Sequence, residues 1–300
     1  MNLKINFEYK NIKTTRLLWA DKEDIVFDWN PLHIFFILRG GSKNSIEQGL
    51  LYQAKSLGVE FHFNSRIKAE TMDIIATGPK SVHGLAFGTV YKRGSKTIDD
   101  EMLLMFNNRV LPKGSYMYAP VTDNHIEIII AIFDSKCFKN IKKIHQNGLN
   151  YFEDYFKGPI LREFSGGGNF LNPKSAKING QCYVGEAAGF QDPFMGFGNF
   201  YSIKSGYLAA KSIIEDMSYN KLWKEEFDPW IKAGLATRFF SSLFGDKFLY
   251  WFFKTNHERN QRSLTDKKQN HEFSSSLKAK IIINLFSKAE VAKKKITGNW

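Results

Sequence analysis

Residues 183–199 read Tyr-Val-Gly-Glu-Ala-Ala-Gly-Phe-Gln-Asp-Pro-Phe-Met-Gly-Phe-Gly-Asn, and a long apolar periodicity begins directly after them. A short strand, Gln181 to Val184, leads into glycines, which allow sharp turns and close approach of backbone to a ligand. In the helix predicted from Asn199 to Met217, Phe200, Ile203, Tyr207, Ala210, Ile214 and Met217 recur every three or four residues, so one face is buried. The first turn of that helix leaves amides without intrahelical acceptors, facing the glycine turn. A ligand atom with partial negative charge is stabilised there. An ordinary glycine loop between strand and helix is the plainer alternative.

Toward the amino terminus, Ser42-Lys-Asn-Ser leads into Ile46, Leu50, Leu51, Ala54 and Leu57, an amphipathic helix ending at Gly58. Val59, Phe61 and Phe63 then alternate with polar residues, which predicts a strand. Met72 to Ala76 is a short apolar run closed by Thr77-Gly78-Pro79. From Leu85 to Phe133 the pattern is strands without long helices: 85–91, 102–106, 116–120 and 126–133, with a hairpin turn at Thr122-Asp123-Asn124. Ile141 to Phe156 reads as helix, and Gly166-Gly167-Gly168 are expected to break any regular element. Beyond Met217, Trp223, Phe227, Trp230 and Ile231 form one helical cluster and Leu277, Ile281, Leu285 and Ala289 another, across a polar loop from Thr265 to Ser276.

This order of elements resembles one family throughout. Strand, Gly-Asp-Ala-Ala-Gly, Asp-Pro, Gly-x-Gly and helix is the second flavin-binding motif of the geranylgeranyl reductase and aromatic hydroxylase superfamily, and residues 183–199 are similar to all of it. Ile37-Leu38-Arg39 and the helix after Ser45 resemble the strand, arginine and helix preceding the family's Gly-Val-Glu, here Gly58-Val59-Glu60. Ile74 to Gly78 resembles the strand and turn beside adenosine, and Gly167, Gly168 and Pro173 resemble the Gly-Gly and Pro element before the flavin motif. The likeness runs from about Phe35 to Ala210.

The resemblance implies an α/β (α+β) fold: a parallel sheet of the FAD/NAD(P)-binding kind, incomplete at its N-terminus, with an inserted antiparallel substrate sheet and a helical C-terminal region. The expected division is 1–84 with 165–217 for the cofactor, 85–164 for substrate, and a basic helical region over 218–300. It implies FAD as cofactor, with NAD(P)H a candidate electron donor. Arg39, Gly78, Gly185, Glu186, Ala187, Asp192, Pro193, Gly196, Phe197, Gly198 and Asn199 would contact the cofactor, and Gly167 and Gly168 the substrate. Glu186 would take the ribityl or ribose hydroxyls, although the family more often has Asp. No residue is singled out as catalytic proton donor.

Members of the superfamily open with strand, G-x-G-x-x-G and helix, because amides of that turn hold the pyrophosphate. This sequence has no such motif. Either the chain is truncated, leaving the cradle to an N-terminal segment or a neighbouring polypeptide, or the cradle has been lost.

Three activities stay open: reduction of carbon-carbon double bonds in an apolar isoprenoid or lipid, flavin-dependent monooxygenation, and a non-catalytic lipid-binding role. The net charge is +12, and Lys254 to Trp300 holds eleven Lys or Arg against four Asp or Glu, so an anionic membrane surface is a candidate partner. A solvated basic tail is the simpler reading of the same residues. Nucleic acid is not expected, because basic and aromatic residues do not alternate on a recognisable platform. The two cysteines, Cys137 and Cys182, and histidines His33, His62, His83 and His125 match no metal spacing. Without a signal peptide or long apolar span, a cytoplasmic chain, peripheral to a membrane at most, is expected.

Overall fold

The structure, a computed structural model, describes residues 3–29 and 34–265, the last ten of these by backbone alone. His33, the 266–276 part of the predicted loop and the helix over Leu277 to Ala289 lie outside the described residues.

Strands β1 (Tyr9–Ile12), β2 (Thr14–Trp19), β3 (Ile25–Asp28) and β4 (Ile34–Ile37) precede helix α1 (Ile46–Ser56). Ser45 caps α1, its Oγ accepting from Gln48 N at 3.3 Å, with Glu47 in the first turn and Lys55 in the last. These local signals favour the helix at both ends. After β5 (Ile74–Ile75) come β6 (Gly84–Arg93), β7 (Glu101–Phe106), β8 (Tyr116–Pro120) and β9 (His125–Ile132). Then follow α2 (Ile141–Leu149), β10 (Phe156–Gly168), β11 (Lys177–Ile178), β12 (Gln181–Tyr183), α3 (Asn199–Ile214), α4 (Tyr219–Phe244) and α5 (Asp246–Thr265).

The large sheet has the order β10-β6-β9-β8-β7-β2-β3 and is antiparallel except where β2 runs beside β7. Ile126, Ile128, Ile130 and Ile132 of β9 point to one side, onto Ile141, Leu149 and Phe152. On the other side Phe106, Tyr116 and Ala131 pack with Phe194 and Leu249. Both faces of β9 are therefore covered, which explains its nearly unbroken apolar run. The smaller sheet, β11-β12-β5, holds the parallel pair Cys182↔Ile74 and Tyr183↔Ile75. Helices α3 and α4 bury Tyr201, Leu208, Tyr219, Trp223, Phe227 and Ile231 against it.

Four expectations need correction. The α3 stripe of Phe200, Tyr207, Ile214 and Met217 is exposed rather than buried, because the helix turns Tyr201, Ser205, Leu208, Ala209 and Ser212 to the core. Val59, Phe61 and Phe63 form no strand, since no neighbour pairs with them; they are exposed, and the Phe61 and Phe63 rings stack 5.9 Å apart. Gly166, Gly167 and Gly168 do not break the chain but pair with Ala86, Leu85 and Gly84 inside β10. Missing side chains there permit contact rather than a bend: a Cβ at Gly168 would meet Gln191 Oε1 at 2.7 Å and one at Gly167 would meet Val82 at 3.0 Å. Finally, β2 and β3, within 1–84, join the strands of 85–164, because β2 pairs along its whole length with β7.

Trp223 is fully buried and donates Nε1–H to Asn220 Oδ1 at 3.0 Å, while Trp230 on the same helix is exposed. Trp223→Ala is expected to destabilise by about 3–5 kcal/mol, and Trp230→Ala by no more than about 0.5 kcal/mol, in urea unfolding.

Candidate functional site

The parallel strands β5 and β12 end side by side, Val184 N donating to Ile75 O at 3.0 Å. Ligands of open α/β sheets gather at such carboxyl ends. From β12 the chain enters a tight turn at Gly185, with φ +54°, where a Cβ would lie 3.0 Å from Ser202 Oγ. Gly185 N donates to Ser205 Oγ at 2.8 Å, so α3 holds the start of the turn. Ala187 completes this short helical turn, half-buried.

The turn 192–197 spends every one of its carbonyls on the protein. Asp192 O accepts from Gly196 N and Phe197 O from Asp192 N, at 3.0 and 2.9 Å. Met195 O accepts from the Tyr116 hydroxyl at 2.6 Å, and Gly196 O from Gln191 Nε2 at 2.7 Å. Arg238 of α4 donates to both Pro193 O and Phe194 O, the latter at 2.9 Å. Asp192 Oδ1 takes the amides of Phe194 and Met195, at 3.0 and 2.5 Å. What remains are the amides of Phe197, Gly198 and Asn199, which have no acceptor among the described residues; Gly198, the N-cap of α3, brings no side chain to them. The exit of the turn is thus a cluster of donors at the positive end of a sixteen-residue helix.

Glu186 stands beside that exit: a Cβ on Gly198 would lie 3.7 Å from Glu186 Oε1. Burial raises the pKa of its carboxyl and Arg39 draws it back. Arg39 Nη1 donates to Asn199 Oδ1 at 2.7 Å, and its Nε–H to Glu47 Oε1 at 2.5 Å. Arg39, Glu186, Gly198 and Asn199 are therefore one group. Pro193 is buried in the turn and Asp192 and Gly196 are half-buried, with Gly168 against Gln191. The Asp192 carboxylate is turned inward, onto its own turn amides. Phe197 is exposed. Gly78 lies beyond the end of β5, with φ +79° and nothing within 4 Å of where a Cβ would stand.

Residues not singled out in the sequence also build the site. They are Tyr116, Gln191, Gly234 and Arg238. A Cβ at Gly234 would sit 2.7 Å from Pro193 Cδ, so α4 touches the turn through backbone. Gly234 and Arg238 continue the buried stripe of Trp223, Phe227 and Ile231, and an arginine on such a stripe is the signal that could have revealed them.

The residues present fit the ring and ribityl part of a flavin: free amides at a helix end, glycines at Gly196 and Gly198, and a carboxylate alongside. A phosphate cradle is not among the described residues, and the outer edge of β5 carries no paired strand there. Among the described residues no cluster of three His, Cys, Asp or Glu could hold a metal, and no helix is long and apolar enough to cross a membrane.

No protein-family model and no curated protein matches the sequence. Solved structures do match the fold, among them proteins described as flavin-dependent. A geranylgeranyl bacteriochlorophyll reductase-like protein from Thermoplasma acidophilum superposes with TM-score 0.60 at 15% identity, over 95% of this chain and 82% of its own. The flavin-dependent brominase Bmp2 gives 0.60 at 11% identity, over 95% and 83%. PqsL from Pseudomonas aeruginosa, assigned as an FAD-dependent monooxygenase, gives 0.54 at 9% identity, over 81% and 82%. The chain has the fold of these proteins, a mixed α/β architecture with a helical C-terminal region.

A carboxyl whose folded pKa is raised, as at Glu186, favours the fold below its unfolded value near about 4.3. That contribution is lost as pH rises through the folded pKa. Without bound flavin, wild type is therefore expected to lose stability relative to Glu186→Gln as pH rises above about 4.3 and through the raised folded pKa. A pH-independent difference between the two denaturation curves would reject the assignment.

Proposed function

We propose that this chain is an FAD-dependent oxidoreductase that reduces carbon-carbon double bonds in an apolar isoprenoid or lipid substrate, with NAD(P)H as electron donor. The observation that carries the proposal is the one-sided polarity of the turn 192–199: carbonyls engaged, amides free. When bound and reduced, the flavin supplies a hydride to one carbon of the double bond while a proton adds to its neighbour. The chain's own residues bind and orient. Amides of Phe197, Gly198 and Asn199, with the α3 dipole behind them, stabilise negative charge on a reduced ring. Glu186 accepts hydrogen bonds from hydroxyls of the ribityl chain.

The apolar substrate class is supported by the face of the large sheet that reaches the turn. Tyr116 touches the turn through its hydroxyl, and the row Leu104, Tyr118, Ile129, with Phe164 over Gly88, extends that face away from it. Oxygenation of a similar substrate is the competing reaction on the same fold, and a hydroxylated product formed with NADPH consumption would select it.

The pyrophosphate is to be held by a strand-turn-helix unit beside β5, supplied by an N-terminal segment or a neighbouring polypeptide. Pyrophosphate contacts amount to about 1.5–3 kcal/mol per charge-assisted bond. A site that grips only ring and ribityl should bind riboflavin and FAD with affinities within about tenfold of each other. In fluorescence titrations Gly198→Val, which places a branched side chain on the free amides, is expected to weaken both by at least about tenfold. Wild-type protein that quenches neither flavin, alone or with the completing unit added, would end the proposal.

A further inference from the structure

Arg238 is the buried charge that the fold of α4 does not need. Its neighbours on the stripe, Trp223, Phe227 and Ile231, are fully buried and apolar, and an aliphatic residue would pack there without desolvating a cation. The guanidinium lies 3.2 Å from the centroid of Phe133, at the end of β9, and 4.9 Å from that of Phe170. Nε and Nη2 fork onto the carbonyls of Pro193 and Phe194. Nη1 is sealed from solvent and has no acceptor among the described residues. Burial lowers its pKa to about 10, with Tyr116 and Asp192 opposing, so it is charged at neutral pH. Asp192 acts on it through space and makes no direct bond to it among the described residues; its Oδ1 accepts from the amides of Phe194 and Met195.

The arrangement is a two-sided clamp. Asp192 holds the amides of residues 194 and 195 inward, and Arg238 holds the carbonyls of residues 193 and 194 toward α4. A fork with fixed geometry can take two adjacent carbonyls at once, which an ammonium cannot reproduce. With these groups fixed, the next amides in the chain, those of 197–199, are left without an acceptor among the described residues.

We propose that Arg238 is a positioning residue for the flavin turn: it fixes the backbone of 193–195 so that the following amides stay free for the ring, and its buried charge favours the anionic reduced form. The second clause rests on the flavin reading above; the first does not. The test compares wild type with Arg238→Lys and Arg238→Met by three measurements: hydrogen exchange of amides 194–198 in flavin-free protein, riboflavin affinity, and the midpoint potential of the bound flavin. Global stability is measured alongside, to separate local from general loosening.

In Arg238→Met, exchange at residues 194–196 should speed up at least about tenfold beyond any change in global unfolding. Riboflavin binding should weaken at least about tenfold, and the potential should fall. Arg238→Lys keeps the charge without the fork, so it should retain most of the potential while still weakening binding; it also carries the test if the Met variant does not fold. Wild-type exchange, affinity and potential in both variants would overturn the proposal, as would exchange that tracks global stability alone. If wild type binds no flavin, the flavin reading fails, and fast exchange confined to 194–198 in the variants would still support the clamp.

Discussion

Everything at this site depends on where one turn sends its backbone polarity. A peptide segment has as many acceptors as donors, and a segment exposed at both kinds of group repels and attracts an anionic ring about equally. Between Asp192 and Phe197 the acceptors are drawn into the protein by Tyr116, Gln191, Arg238 and two backbone amides. Each such bond contributes about 1 kcal/mol net, but their joint effect is directional. Donors are what the turn has left to offer.

Two of the side chains that collect those acceptors, Tyr116 and Arg238, come from distant parts of the chain. Tyr116 is on β8 of the large sheet, Gln191 precedes the turn, and Arg238 lies on α4. The same guanidinium touches Phe133 and Phe170, so large sheet, turn and C-terminal helix meet around one side chain. Rigid support of this kind gives a binding site its fixed geometry. Loosening α4 should therefore be felt at the turn even though no residue of α4 reaches the free amides.

Legibility of the fold followed the range of the interactions. Helix α1 was readable because the cap at Ser42 to Ser45 and the apolar repeat from Ile46 lie within a few residues of one another, and β6 to β9 because their apolar runs and the 122–124 turn are local. The glycines of 185–198 disclosed the turn, and Arg39, Glu186 and Asn199 do meet beside it. What stayed hidden was long-range. Nothing near Thr14 announces that β2 will pair with β7, and nothing near Gly167 tells a pairing strand from a chain break. Tyr116 looks like an ordinary strand tyrosine until packing brings it to the turn that Arg238 also holds.

The parallel pair of β5 and β12 also bears on the order of assembly. Strands β6 to β10, which pair with one another and through β7 with β2, lie between its two members along the chain. Closing so long an intervening stretch costs entropy that only a pre-formed insert can reduce, and parallel pairing across it is slow. During synthesis the first half of the pair must wait, unpaired, until the second leaves the ribosome. The strand ends that carry the turn thus come together only after the strands of the large sheet have been made.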